Sequence, residues 1–377
     1  MKTRLLLALA LAACDPIQEK KLDESPDQKV ERLEEQRSNV SKQVDTILEK
    51  KADLGIPRED IASKLPELLE GFGKVIISPE NFDPKKPNLY LVANQHFPPN
   101  ASTNRKVRES ILLTQRQGLQ IAHTLVSLGA DTQFLEGVGA GLELRHDVNY
   151  SDQLGEWPQA ALPTYRKTGE INRSYIAAEG IYEDELTSLG VEDHEKIGQA
   201  AKEFSELDQR LFPQARQEII LNLASALGIT GNSSDLNGLR AQIQVKAAQL
   251  QPDEINNLVA TYVLTNAKYR AFLDVAVKFY FEKYRGRNER FAAHIHERMQ
   301  EKPSDGFFIV GAQHAEELSG LLKGMNVFVV SPNTIPQEKI DFFAANYNDE
   351  DYKRTILDWN LYIFGLKPKP NPTFFSE

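Results

Sequence analysis

The pattern of apolar and polar positions divides the chain into alternating strands and helices. Residues 75–77, 89–92, 307–310 and 327–330 are short runs with no polar position. The run at 307–310, and 89–92 with the same design, marks a strand buried on both faces, as in a parallel sheet covered by helices; 75–77 and 327–330 read as further strands. Residues 132–135 and 186–191 read as two further strands. Helical spacing takes over between them. Pro57 opens a segment whose apolar face is Ile61, Leu65, Leu68 and Leu69, stopped by Gly71 and Gly73. Val107, Ile111, Leu112, Leu119, His123, Leu125 and Val126 fall along a long helix over 105–128, closed by Gly129. The order strand, helix, strand from 88 to 135 predicts parallel pairing with a right-handed crossover.

Residues 15–28 are polar and proline-punctuated, as in a tether. Val30, Leu33, Val40, Val44, Ile47 and Leu54 then form an apolar stripe interrupted by Arg37 and Lys51. That stripe predicts an amphipathic helix, either folded back on its own domain or paired with a second copy in a homodimer. Residues 142–175 read as loop. From 195 to about 299 the pattern is nearly continuous helix, with breaks expected near Phe212-Pro213, 228–237 and Pro252. This is too long for one crossover and predicts a helical insertion capping the strand-end edge. A helix over 335–345 and a proline-rich, extended tail after Lys367 end the chain.

The expected fold is α/β: a mixed, partly parallel sheet flanked by helices, with a large helical insertion and an amino-terminal helix. The expected divisions are a signal peptide over 1–13, a tether and amphipathic helix over 14–56, and a first part of the α/β core over 57–194. The insertion follows over 195–285, then the second part of the core with the tail over 286–377.

Composition narrows the function. With 41% apolar and 26% charged residues in 377, the chain can bury a sizeable core. The formal charge of −10 becomes −12 without residues 1–13, which carry Lys2 and Arg4. So acidic a chain lacks the broad positive surface that phosphate backbones need, and no nucleic-acid partner is expected. The single cysteine, Cys14, excludes a disulfide framework and any thiolate zinc site. It follows the basic residues Lys2 and Arg4 and the apolar run 5–13. Leu11-Ala12-Ala13-Cys14 therefore reads as a bacterial lipoprotein signal, with an ordinary cleaved secretory signal as the alternative. A lipid anchor on the cell-envelope membrane is the expected localisation; under enteric-type sorting, Asp15 would retain the protein at the inner membrane.

Candidate chemistry lies at predicted strand ends. His96 follows the strand at 89–92, Glu136 ends the strand at 132–135, and His314 follows the strand at 307–310. In open α/β sheets ligands bind at this carboxyl edge. Two imidazoles and a carboxylate can hold a divalent ion such as manganese, cobalt or zinc, or act without metal as general acid and base. The same three residues would equally serve as polar caps of strands and helix starts. His294 and His296 point about 200° apart on one helix and cannot share an ion. His123 reads as a core histidine and His194 as a helix-start residue. The glycines at 137, 139 and 141 do not match a dinucleotide fingerprint. No serine-hydrolase elbow occurs, and Asn348-Asp349-Glu350-Asp351 lacks the glycine of a calcium loop.

Four landmarks together resemble the superfamily of TraB/PrgY/GumN proteins, Tiki metalloproteases, erythromycin esterases and the haem-binding lipoprotein ChaN. Gly311-Ala312-Gln313-His314 matches the second Gly-x-x-His motif, Leu135-Glu136-Gly137 the intervening glutamate, and Arg287-Asn288 the arginine motif. Leu189-Gly190-Val191-Glu192-Asp193 is similar to a further shared segment. Ala93-Asn94-Gln95-His96 departs from the first motif, with alanine for glycine and Asn94 where a glutamate is typical. The resemblance implies a metal-dependent hydrolase of peptide, ester or amide using His96, Glu136, Arg287 and His314, with a small-molecule or peptide ligand. It equally implies a non-enzymatic ChaN-like lipoprotein that binds haem. An envelope assembly protein acting through the helix at 30–54 is the third expectation.

Overall fold

The computed structural model describes residues 54–95, 105–143, 186–337 and 348–369. Cys14, the tether, the amino-terminal helix, His96, nearly all of the 142–175 loop, most of the expected 335–345 helix and the end of the tail lie outside the described residues. The chain divides into two compact units: residues 1–192 with 290–345, and residues 193–289 with 346–377.

The first unit opens with a short turn of 3-10 helix, Arg58–Asp60, leading into α1 (Ile61–Leu68). Then come β1 (Gly73–Ile77), β2 (Asn88–Asn94), α2 (Arg105–Ser127), β3 (Thr132–Gly139) and β4 (Thr187–Glu192). The helical unit begins with α3 (His194–Ala226), α4 (Leu236–Ala247) and α5 (Pro252–Leu258), and continues through a π-turn (Val259–Val263) to α6 (Ala267–Lys283). Helix α7 (Arg285–Glu301) leads back to β5 (Gly306–Gly311), α8 (Ala312–Leu321) and β6 (Asn326–Pro332). Finally α9 (Asp349–Phe364) belongs to the helical unit.

The fold is α/β, as expected: a six-stranded sheet in the order β1-β6-β2-β5-β3-β4, parallel except for β1, which runs antiparallel to β6. All residues of β2, β5 and β6 are buried, which is why their sequences are apolar runs rather than alternations. Successive side chains go to opposite faces. Tyr90, Val92, Phe307, Ile309, Phe328 and Val330 meet Ile61 and Leu65 of α1 and Leu119, Ala122 and Leu125 of α2. Leu89, Leu91, Ala93, Phe308, Val310 and Val329 meet Phe291 and Ile295 of α7 and Ala315 and Leu318 of α8. Phe307 and Phe308 are fully buried on opposite faces, each contributing roughly 2–3 kcal/mol.

Three details differ from the sequence reading. Strands β2 and β3 are not neighbours; β5, from far along the chain, enters between them and pairs with both. Strand β3 does not stop at Glu136 but continues to Gly139 through an irregularity. Helix α3 runs for 33 residues straight through Pro213. Proline removes one hydrogen bond, yet Ala215, Ile219, Ile220 and Leu223 on its far side are buried with Phe272, Leu273 and Ala276 of α6, and that packing keeps the helix continuous.

Helix α9 was not visible as a periodic segment beforehand. Asn348 caps it by accepting from the Asp351 N–H at 3.1 Å, while Asp351 accepts from the Asn348 N–H. The acidic run that fails as a calcium loop is thus a helix start. Its apolar face, Ile356, Leu361 and Phe364, completes the core of the helical unit instead of joining the sheet.

Candidate functional site

Five parallel strands bring their carboxyl ends to one edge of the sheet. The helix after β2 covers one face and the helix after β5 the other, since α2 packs with one core and α8 with the opposite one. Adjacent strands whose connections leave on opposite faces define a topological switch point, the place where open α/β sheets form a crevice. Here it lies between Asn94, the last residue of β2, and Gly311, the last of β5, which stand opposite each other in the register.

Glu136 reaches this point from β3. The pairing with β4 shifts between Leu135↔Gly190 and Gly139↔Glu192, so two extra residues of β3 are accommodated. Gly137 turns the bulge with a φ of +84°, a conformation that disfavours any side chain. Close approach is sustained from the other side by Gly190, where a Cβ would collide with the Gly139 carbonyl oxygen. Glu136 is buried, and its Oε2 accepts the Gly311 N–H at 3.1 Å. The glutamate is therefore locked to the end of the neighbouring strand.

His314 lies in the first turn of α8, which Gly311 opens. The ring is only 2% exposed and stands edge-on to Phe291, with centroids 6.2 Å apart. Glu136 and His314 are thus brought to the same edge, on either side of Gly311. His96, the third residue of the expected set, lies outside the described residues. Among those described, no group of three or more His, Cys, Asp or Glu side chains is placed to hold a metal ion. Arg287 sits half-buried in the first turn of α7, among the residues of the helical unit, and is described with that unit. Neighbouring Asn288 is fully buried.

Other histidines take structural places. His194 opens α3, whose start is capped by Asp193 accepting from the Lys196 N–H. His123 is half-buried on α2, and burial lowers its pKa from the usual imidazole value. His294 and His296 are both half-buried on α7, so neither is a core residue.

Sequence reasoning missed Gln115. It is 1% exposed and donates from Nε2 to Asn94 Oδ1 at 2.7 Å and to the Gln95 carbonyl at 2.8 Å. The signal was present: Gln115 falls midway between Ile111 and Leu119 on the apolar stripe of α2, where a polar residue requires a buried partner. Gln117, also buried on α2, accepts from both the N–H and the hydroxyl of Thr334, just after β6. The carboxyl edge is therefore lined by buried polar groups: Asn94, Gln115, Glu136, Glu192 and His314.

A separate, open depression of about 470 Å³ lies in the helical unit, lined by Phe281, Arg285, Glu289, Asn348, Asp349 and Glu350. Arg285 and Glu289, one turn apart on α7, are ion-paired at 3.2 Å. None of the expected site residues lines it. No family model, no curated protein and no solved structure matches this chain.

Proposed function

We propose that the chain is a membrane-tethered hydrolase that cleaves an ester, amide or peptide bond at the carboxyl edge of its sheet, with metal-ion assistance. The observation that carries this reading is the Glu136 carboxylate fastened to the Gly311 N–H at the switch point, with His314 buried three residues further on. A carboxylate and imidazoles are the donors that manganese, cobalt or zinc accept, and His96, Glu136 and His314 would hold the ion. When bound, it would supply a water of lowered pKa. Glu136, whose Oε2 accepts from the Gly311 N–H, would take the proton from an attacking water and return it to the leaving group. His314, at the positive end of α8, is buried edge-on to Phe291.

Calorimetric titration of the purified protein with the three ions tests the metal, and Glu136→Gln and His314→Ala should each weaken binding at least roughly tenfold. If wild type and both variants bind equally, or none binds, metal assistance is wrong. A haem titration with a Soret shift abolished by His314→Ala would instead favour the ChaN-like alternative. The tether is part of the proposal. Among the described residues no helix is long and apolar enough to cross a membrane. Anchoring is assigned to a lipidated Cys14 from the signal-like sequence that precedes it. Cys14→Ser should release the protein from membranes; unchanged processing and localisation would remove the anchor.

A further inference from the structure

Between the pairs Leu135↔Gly190 and Gly139↔Glu192, β3 carries two more residues than β4. Side-chain alternation shows where the surplus goes. Phe134 packs with α7 and α8, while Leu135 packs with α1 and α2. Glu136 therefore points to the α8 side, where its Oε2 accepts the Gly311 N–H at 3.1 Å. The chain then arches over the opposite face. Gly137 makes the bend with a φ of +84°, and Val138 is fully buried in the core shared with α2.

Gly190 of β4 lies beneath this arch. Its neighbours Leu189 and Val191 pack with α7 and α8, so a side chain at 190 would point the other way, into the arch. A Cβ there would stand 2.2 Å from the Gly139 carbonyl oxygen and 2.7 Å from that of Val138. Both are backbone atoms, so no change of rotamer relieves the collision. The arch would have to lift by roughly 1 Å to restore ordinary contact. It is tied down on the same strand. The Gly141 N–H donates to the Gly190 carbonyl at 3.3 Å, the Ala140 N–H to the Glu192 carbonyl at 2.9 Å, and the Gly190 N–H to the Leu142 carbonyl at 2.8 Å. With the far end fixed and Val138 packed, a lift is passed back through Gly137, whose neighbour is Glu136. We propose that Gly190 is a positioning residue for Glu136: its bare α-carbon seats the arch, and the arch sets the carboxylate against Gly311. The catalytic consequence rests on the hydrolase reading above; the seating does not. Gly190 acts from β4, across the width of β3 from the Gly311 end of β5, and touches no reacting atom.

Gly190→Ala in the full chain is the test, read first by amide hydrogen exchange. The Gly311 N–H, which Glu136 protects, should exchange roughly tenfold faster or more, while Phe308 and Ile309 further back on β5 keep their protection. With p-nitrophenyl acetate as the probe, kcat should fall about 100-fold, with KM within about twofold of wild type. Unchanged Gly311 exchange would mean that β4, the last strand of the sheet, moves aside instead, and overturns the proposal. If the wild type hydrolyses neither this ester nor a peptide panel, the hydrolase reading fails, and Gly311 exchange alone decides the role of Gly190. If Gly190→Ala does not fold, exchange of the wild type in urea decides. Loss of protection at Gly190 and Gly311 at the same urea concentration supports the seating; Gly311 opening while Gly190 stays protected overturns it.

Discussion

Strand β2 begins and ends on a buried asparagine, and the two are used in opposite ways. Asn88, at the amino edge of the sheet, has a partner on each of its side-chain polar atoms. Its Nδ2 donates to Asp305 Oδ2 at 3.0 Å, its backbone N–H to Asp305 Oδ1 at 2.9 Å, and its Oδ1 accepts from Asn326 Nδ2 at 2.9 Å. Asp305 also receives both Nη atoms of Arg58, at 2.8 and 2.6 Å, and Asn326 closes the circuit onto the Asp83 backbone. The starts of β6, β2 and β5 are thereby clasped together. Asn94, at the carboxyl edge, has a saturated oxygen and a bare nitrogen. A buried polar group whose side-chain atoms all have partners holds the fold; one with an atom left open holds it less completely.

The largest effect separating the two edges should come from Asp305→Ala. It strands the Asn88 amide and N–H in a buried site, and should lower unfolding free energy by about 3 kcal/mol in a urea titration, with activity per folded molecule unchanged. Next is Glu136→Gln, the reverse case. The amide oxygen still accepts from Gly311, so stability should move by less than about 1 kcal/mol, while kcat should fall roughly 100-fold or more through loss of the base. Equal loss of stability in both variants would erase the distinction between clasp and site.

The two asparagines can be set against each other by one substitution type. Asn88→Asp places a carboxylate against Asp305 and removes a donor, and should cost about 2 kcal/mol. Asn94→Asp keeps both of its accepted bonds but places a carboxylate in a buried site, and should cost about 1 kcal/mol. Comparable melting points for the two would show that the ends of β2 are not used differently. The smallest expected effect lies away from both edges. Burial lowers the pKa of His123, so the unfolded chain binds the proton more readily. Stability from this residue is then present above the unfolded value of about 6.5 and lost as pH falls through the lower folded value. A His123→Gln variant should flatten that acid limb by less than about 1 kcal/mol, read from urea midpoints between neutral and mildly acid pH.

Much of this molecule was legible in the sequence because burial on both faces leaves no room for polar positions. The runs at 89–92, 307–310 and 327–330 became β2, β5 and β6, and His314 follows a strand end because strands end where apolar runs do, whereas Glu136 lies within β3, which runs on past it to Gly139. Periodicity is silent on which strands are neighbours, so it placed β3 beside β2 and missed the insertion of β5 between them. It also stopped α3 at Pro213, where long-range packing against α6 outweighs one missing hydrogen bond. Asn94 shows the limit most clearly. By residue type it was only the absence of an acid; the direction of its amide depends on Gln115 and the Gln95 carbonyl, and its place at a switch point exists only once β5 lies beside β2. The sequence by itself determined the elements, their buried faces and the two ionisable residues at the edge, since these follow from local periodicity and solvation. The strand order, the clasp at Asp305 and the direction of the Asn94 donor were decided by tertiary structure alone, because each is a relation between residues that the chain separates and only the folded sheet brings within hydrogen-bond reach.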